Sequence, residues 1–266
     1  MTERLASLAA LRAWLAPGTG TLSTDGDAQL RSLIDAASAM VLNYLNRDTF
    51  GPLSASDIYD GTTRDRILLR QWPVISVQGI AFGAQAISPA TGIPPANGWV
   101  LEPPPAGNGQ QRLTFFGRRL PRERNSIFAT YTAGYQTVET LQVVAGAIVP
   151  ARAWVSTQSL VYASTGVPLV SVSATPAQGQ YAVDIYGNFT MAAADNGASV
   201  VLTYGYVPAD IVQATIEMIG ERYRTRDRIG VSSKSLPNGE TVAYMVRGMS
   251  DFTKMALQPY MRVTPQ

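Results

Sequence analysis

The chain has 266 residues and a mass of 28.5 kDa, enough for one large domain or two modest ones, and its 46% apolar and 15% charged content excludes a charge-driven disordered chain. It contains no histidine and no cysteine, which excludes a Ser-His-Asp triad, a Cys-His pair, a Cys/His zinc site and any disulfide. The net charge of +2 is too balanced for binding nucleic acid by bulk charge, and Lys234 and Lys254 are the only lysines, so the cations are arginines suited to fixed, bidentate contacts.

In chain order, Leu5, Leu8, Leu11 and Leu15 fall on one helical face, predicting a short helix over 3–16 that Pro17-Gly18 stops. Met1-Thr2-Glu3-Arg4 lacks the basic flank and unbroken apolar run of a secretory signal, and no stretch is long enough to span a membrane. The clearest helix is capped by Asp25 or Asp27, carries Leu30, Ile34, Ala37, Val41 and Tyr44 on one face, and runs to about Arg47 before Gly51-Pro52. Strands are expected at Ile58-Tyr59-Asp60-Gly61, Ile67-Leu68-Leu69, Trp72-Pro73 to Val77, Trp99 to Leu101, Leu113 to Phe116 and Ile127 to Tyr131. Between them, 88–110 is rich in Pro, Gly and Asn and reads as loops.

From 137 to 203 the only charges are Glu139, Arg152, Asp184 and Asp195. Short β-prone runs (Ala153 to Val155, Leu160 to Tyr162, Tyr181 to Ile185, Val200 to Tyr204) alternate with turn signals, as in a small antiparallel sandwich. Tyr131 to Tyr135 and Thr203 to Tyr206 are near-copies, which read either as a Tyr-Gly-Tyr junction into which the 137–203 module is spliced or as a coincidence of common strand-end residues. A helix follows Pro208, with Val212, Ile216, Ile219 and Tyr223 on one face, ending near Arg228 to Gly230. Residues 232–240 read as a polar loop with a turn at Asn238-Gly239, and Ser250 caps a last helix from Asp251 to about Gln258, which Pro259 ends. The fold class is therefore α+β: a small helical bundle from both chain ends with inserted antiparallel β regions. The expected domains are a helical core of 1–56 and 205–266, a β-rich region of 57–136, and an inserted sandwich-like module of 137–204.

Candidate chemistry is sparse. Asp57, Asp60 and Asp65 lie among Arg64, Arg66 and Arg70, which reads as a hairpin with solvated ion pairs rather than a catalytic carboxylate pair. Asp25-Gly26-Asp27 lacks the Glu that a calcium loop needs, and no phosphate-binding glycine loop is present, so neither metal nor cofactor is expected. Two arginine clusters stand out: Arg112, Arg118, Arg119, Arg122 and Arg124 around Glu123, and Arg222, Arg224, Arg226 and Arg228 at the end of the Pro208 helix. The second reads either as a solvated, dipole-favoured helix end or as a contact for phosphate or an acidic surface. Trp72, Trp99 and Trp154 read as core, whereas Tyr260 sits in a tail that either docks on a partner or folds back on the chain.

The capped helix Asp27 to Arg47, Ile58 to Gly61, Leu68-Leu69, Trp72 to Val77, Ala129 to Tyr135, Val207 to Ala214 and Leu257 to Tyr260, in that order, resemble the head–tail connector (adaptor) proteins of long-tailed bacteriophages and related gene-transfer particles. The segment from Pro176 to Tyr181 through Asn188 to Met191, Ala194-Asp195 and Val201 to Tyr204 resembles a small β module recurrent in phage structural proteins and departs from the plain adaptor pattern as an extra insertion. The resemblance implies a non-enzymatic virion protein of the neck, between capsid and tail, assembled in the host cytoplasm. It implies a ring, usually of twelve copies, around the DNA channel, with no membrane involved. Its partners would be further copies of itself, the portal protein, a tail-side connector or tail terminator, and, transiently, genomic double-stranded DNA. On this reading Phe252, Leu257, Tyr260 and Arg262 contact the portal, and Arg222, Arg224, Arg226 and Arg228 face the channel or a neighbouring subunit. The alternative is a β-rich surface- or carbohydrate-binding virion protein, motivated by the 137–204 segment.

Overall fold

The computed structural model describes residues 3–16, 24–103, 109–120, 122–226, 233–235, 241–243 and 249–262. The fold is α+β, with helices and sheets in separate stretches of the chain; among the described residues the strand pairs are antiparallel apart from Val170–Ser171, which runs parallel to Gln180–Val183 inside the module expected to be wholly antiparallel. The chain divides into two compact units, Met1–Leu45 with Pro208–Gln258, and Asn46–Val207 with Pro259–Gln266.

The first unit joins the two ends of the polypeptide. Helix α1 (Leu8–Leu15) starts later than the leucine spacing predicts, because the Ser7 hydroxyl accepts from the Ala10 amide and sets the N-cap there. Helix α2 (Asp27–Leu45) follows a 3-10 turn at Thr24–Gly26. Its buried face runs Leu30, Ile34, Ala37, Val41 and Leu45, so Leu45 takes the place the periodicity gave Tyr44, which is exposed. Helix α3 (Ala209–Arg224) buries Ile211, Ala214, Thr215, Ile216, Ile219 and Gly220, and holds Val212 and Tyr223 at the margin of the same core. That core combines Ala6, Leu11, Leu30, Ile34 and Ala37 from the start of the chain with Ile216 and Ile219 from near its end. A Cβ on Gly220 would stand 3.0 Å from the Trp14 indole nitrogen, so this glycine lets α1 approach α3 closely. Arg4 clamps Asp35 bidentately (2.5 and 3.0 Å), Arg12 pairs with Asp27, and the buried Ser38 hydroxyl accepts from the Leu5 amide. Between α3 and the last helix, α4 (Asp251–Leu257), the stretch expected to be a loop forms part of a hairpin. In it Ser233–Ser235 pairs antiparallel with Thr241–Ala243. The expected turn at Asn238-Gly239 lies outside the described residues. Ser250 caps α4 by accepting from the Thr253 amide, and α4 packs on α3.

The second unit is built from four sheets around two cores. Strands β1 (Leu53–Tyr59), β3 (Val74–Phe82), β4 (Gln85–Ile87) and β7 (Ile127–Ala133) form a sheet in the order β1-β7-β3-β4. Strands β2 (Arg66–Leu68), β5 (Gly98–Leu101) and β6 (Arg112–Phe116) form a second, in the order β2-β6-β5. Their shared core holds Tyr59, Leu69, Leu113, Phe115, Leu120, Ile127 and Tyr131. The central strand β7 alternates strictly, with Ile127, Ala129, Tyr131 and Ala133 inward, as a sheet with one covered face requires. Strands β8 (Gln136–Gln142), β10 (Ala153–Tyr162) and β14 (Ser199–Val207) form a third sheet in the order β10-β14-β8. Short strands β9 (Ala147–Ile148), β11 (Val170–Ser171), β12 (Gln180–Val183) and β13 (Phe189–Met191) form the fourth. These two enclose Leu160, Tyr181, Phe189, Val200, Leu202 and Tyr204.

The Gly-Tyr ends flanking 136–205 meet. The Tyr206 amide donates to the Tyr135 carbonyl (3.1 Å), the two rings lie 5.8 Å apart edge to face, and Gln136 stands opposite Gly205 across the β8–β14 pair. Both glycines are required by crowding. A Cβ on Gly134, whose φ is +139°, would lie 2.2 Å from the Gly51 carbonyl, and one on Gly205 would lie 2.4 Å from the Pro52 ring.

Candidate functional site

In the helical unit the arginines singled out in the sequence gather at the C-terminal end of α3. Arg222 and Arg224 lie in its last turn and Arg226 just beyond the Thr225 cap; all three are exposed. Thr225 closes the helix, its amide and hydroxyl both donating to the Glu221 carbonyl. Uncapped carbonyls at this end carry partial negative charge and favour the cations. Arg226 lies over the Tyr223 ring at 4.3 Å. Arg228 lies outside the described residues. On α4, Phe252 and Met255 are 56% and 67% exposed and, three residues apart, share one face, while Thr253 and Leu257 turn inward at 1% and 0%.

Tyr260 and Arg262 belong to the second unit, where the tail folds back. The Tyr260 ring packs at 6.2 Å from Phe50 and 6.0 Å from Tyr135. Arg47 holds it there, donating from Nε to the Tyr260 carbonyl (2.8 Å) and from Nη1 to the Trp72 carbonyl (2.9 Å), with its guanidinium 4.1 Å over the Trp72 ring. Burial lowers the Arg47 pKa to about 10, with nearby Arg262 adding to the effect, so the side chain stays charged at neutral pH. Arg262 reaches Asp48 at 4.0 Å, and with the Gln71 amide turned so that its oxygen faces the guanidinium, Gln71 accepts at 2.9 and 3.0 Å. Of the four residues assigned to docking, Phe252 alone projects into solvent as a large apolar side chain; Leu257 and Tyr260 are buried and Arg262 is largely covered. Arg47 escaped sequence reasoning because it follows an amphipathic helix, where an arginine ordinarily means a solvated end.

Asp57, Asp60 and Asp65 do not converge as a carboxylate cluster; Asp57 does pair with Arg70, at 4.0 Å, but is largely covered rather than solvated. Its Oδ2 accepts from the hydroxyls of Tyr59 (3.0 Å) and Tyr131 (2.5 Å), which in turn accept from the backbone amides of Arg70 and Gln71 (3.0 Å each). Burial pushes the Tyr59 hydroxyl up to about 12 and raises that of Tyr131 as well, with Asp57 contributing to both. The Arg66–Asp65 pair is exposed on both sides, as expected. Asp60 accepts from the Asn125 amide (2.7 Å) and so pins a loop.

Beside this network a groove of about 1020 Å³ opens between the 58–70 segment, whose β1 and β2 lie in different sheets and do not form the expected hairpin, and β6, with Arg64, Arg66, Arg70, Arg112 and Arg119 in its walls against Asp60 and Asp65. Of the arginine cluster of 112–124, Arg112 and Arg119 both line the groove, Arg112 also pairing with Glu102, whereas Arg118 lies 6.0 Å over Phe82. Among the described residues no group of three or more Asp and Glu could hold a metal ion, and no helix is long and apolar enough to cross a membrane.

Two solved structures are similar to this chain over 98% of its length and 92% of theirs. One is the neck of an empty gene transfer agent particle computed with C6 symmetry, at 16% identity and a TM-score of 0.41; the other is the virion of a native gene transfer agent particle, at 16% identity and a TM-score of 0.39. No family model and no curated protein matches the chain.

Proposed function

We propose that the chain is a structural, non-enzymatic head–tail connector (adaptor) of a tailed-phage-type particle, forming a ring between portal and tail components around the DNA channel. The observation that carries this reading is the joining of the two chain ends into one helical unit that leaves both an arginine-bearing helix end and an apolar pair uncovered. Three of the seven ordered sequence features of the connector family fall on its helices, the capped helix being α2, the Val207 to Ala214 motif opening α3 and the Leu257 to Tyr260 motif closing α4, while the other four lie in the β unit.

In this reading Phe252, with Met255 beside it, makes the contact with the portal. Leu257 anchors α4 within the helical unit, and Tyr260 and Arg262 anchor the tail within the β unit. Arg222, Arg224, Arg226 and Arg228 face a neighbouring copy or the DNA. The near-neutral charge of the whole chain suits a ring through which DNA must slide, since many phosphate contacts would hold it in place. The module of 137–204 is an addition to the ring-forming part.

Electron microscopy of particles carrying this chain tests the assignment. Density for it is expected between portal and tail; density in the capsid shell or at the tail tip would overturn the reading. A pull-down with purified portal protein tests the docking face: Phe252→Ser with Met255→Ser abolishes capture at an unchanged melting temperature. Equal capture by this variant would remove α4 from the contact.

A further inference from the structure

We infer that the arginine-walled groove beside β2 and β6 is a docking site for an acidic, apolar-bearing peptide segment of a different protein. On the outer face of the β2–β6 pair, Arg66, Leu68 and Arg112 stand together, since Arg66 opposes Thr114 and Leu68 opposes Arg112. Ile58 of β1 and Leu68 leave apolar surface in the groove, at 42% and 46% exposure. Arg64 and Arg119 complete the walls, and among the described residues neither has a carboxylate within ion-pair distance.

Their backbones are fixed beforehand. The Gly61 amide donates to the Glu123 carbonyl (2.8 Å), the Leu120 amide to the Arg64 carbonyl (3.0 Å) and the Phe115 amide to the Asp65 carbonyl (2.7 Å). A segment entering this groove therefore meets arginines already held in place, which lowers the ordering cost of binding. Free guanidinium forks select carboxylates or phosphates.

The surroundings choose between those two. Duplex DNA offers a rail of phosphates with no apolar groups and is repelled by Asp60 and Asp65 in the groove wall. A peptide that alternates carboxylates with apolar side chains satisfies Arg64 and Arg119, covers Ile58 and Leu68, and can turn its neutral positions toward the two aspartates. A second copy of this chain cannot supply it, because the only two acidic residues separated by a single position, Asp25 and Asp27, have Gly26 and no apolar side chain between them. The occupant is therefore another protein, whatever particle the chain belongs to.

Selection from a random peptide display library against the full-length protein, with a duplex DNA oligonucleotide titrated in parallel, tests this. The expected peptides carry several Asp or Glu residues interleaved with apolar ones, weaken steeply with added salt, and lose at least about tenfold in affinity for Arg64→Glu with Arg119→Glu. Both positions are exposed, so the variant's circular dichroism and melting temperature report an intact fold. Enrichment of no acidic peptide, or equal affinity for wild type and variant, overturns the inference. Duplex DNA binding that needs Arg64 and Arg119 in the absence of acidic-peptide binding overturns it in favour of nucleic acid.

Discussion

Arg47 shows how a single side chain can organise a region without taking part in chemistry. Its two hydrogen bonds end on backbone carbonyls from distant parts of the chain, and its plane is stacked on Trp72, so removing it uncouples the tail from the β unit. Arg47→Met is expected to cost about 2–4 kcal/mol in urea unfolding, and Arg47→Lys to recover less than half, since an ammonium cannot reproduce the fork and the stacking together. Gly134 is constrained differently, by a left-handed backbone and by the Gly51 carbonyl against its α-carbon. Gly134→Ala should lose about 3 kcal/mol or more, while Gly83→Ala, with positive φ but open space, should lose about 1 kcal/mol; the difference in denaturation midpoints separates crowding from strain. The tyrosines on Asp57 predict an alkaline weakness. Tyr59 holds its proton to about 12 when folded but only to about 10 when unfolded, so its contribution is complete below pH 10 and is lost as pH rises from 10 through 12. Stability measured across that range should fall by about 2–3 kcal/mol for this residue, and Tyr59→Phe should flatten the profile.

Among the elements, α3 and α4 divide structural from exposed positions sharply. The α3 arginines are surface groups at a helix end that the backbone dipole already favours, so Arg224→Ala with Arg226→Ala should leave helical content and melting temperature nearly unchanged. Loss of assembly in that variant would mark them as contacts, and normal assembly as a solvated helix end. Ser250 is the opposite case. Its hydroxyl satisfies the first turn of a seven-residue helix that has few other means of starting, so Ser250→Ala should cost about 1 kcal/mol in urea unfolding. The periodicity of α2 is legible down to Val41, but at the next position it selects Tyr44 where the fold buries Leu45. Both lie within one turn of the same stripe, and burying Leu45 leaves the tyrosine hydroxyl in water.

For the whole molecule, the adjacency of Tyr135 and Tyr206 has a direct consequence. Because Gln136 faces Gly205 across an antiparallel pair, an Asn-Gly turn can join them when 137–204 is removed. The 137–204 sheets enclose a core of their own, so the shortened chain is expected to keep the helical unit and the core of Tyr59, Leu113 and Tyr131. Far-ultraviolet circular dichroism and proteolysis check this. Particles made with the shortened chain should retain tails if the module is an addition to the ring-forming part, whereas lost adsorption with normal assembly would point to surface binding.

Local grammar alone established much of this protein. The zero counts of histidine and cysteine, most of the helix faces, the strands at 58–59, 67–68, 99–101, 113–116, 127–131 and 200–204 and the α+β class follow from spacing and caps that act within a few residues, whereas strands such as Gln136–Gln142 and Phe189–Met191 carried no such signal. What needed the tertiary structure were relations across long sequence separations. The burial of Arg47 beneath the tail, the capture of Asp57 by two tyrosines, the inward turn of Leu257 and Tyr260, and the gathering of Arg64, Arg66, Arg112 and Arg119 around one groove all depend on which strands pair and which face is covered. A charged residue in a sequence carries no mark of the partner that will neutralise it or leave it free, because that partner is chosen by packing, and packing is a property of the whole chain.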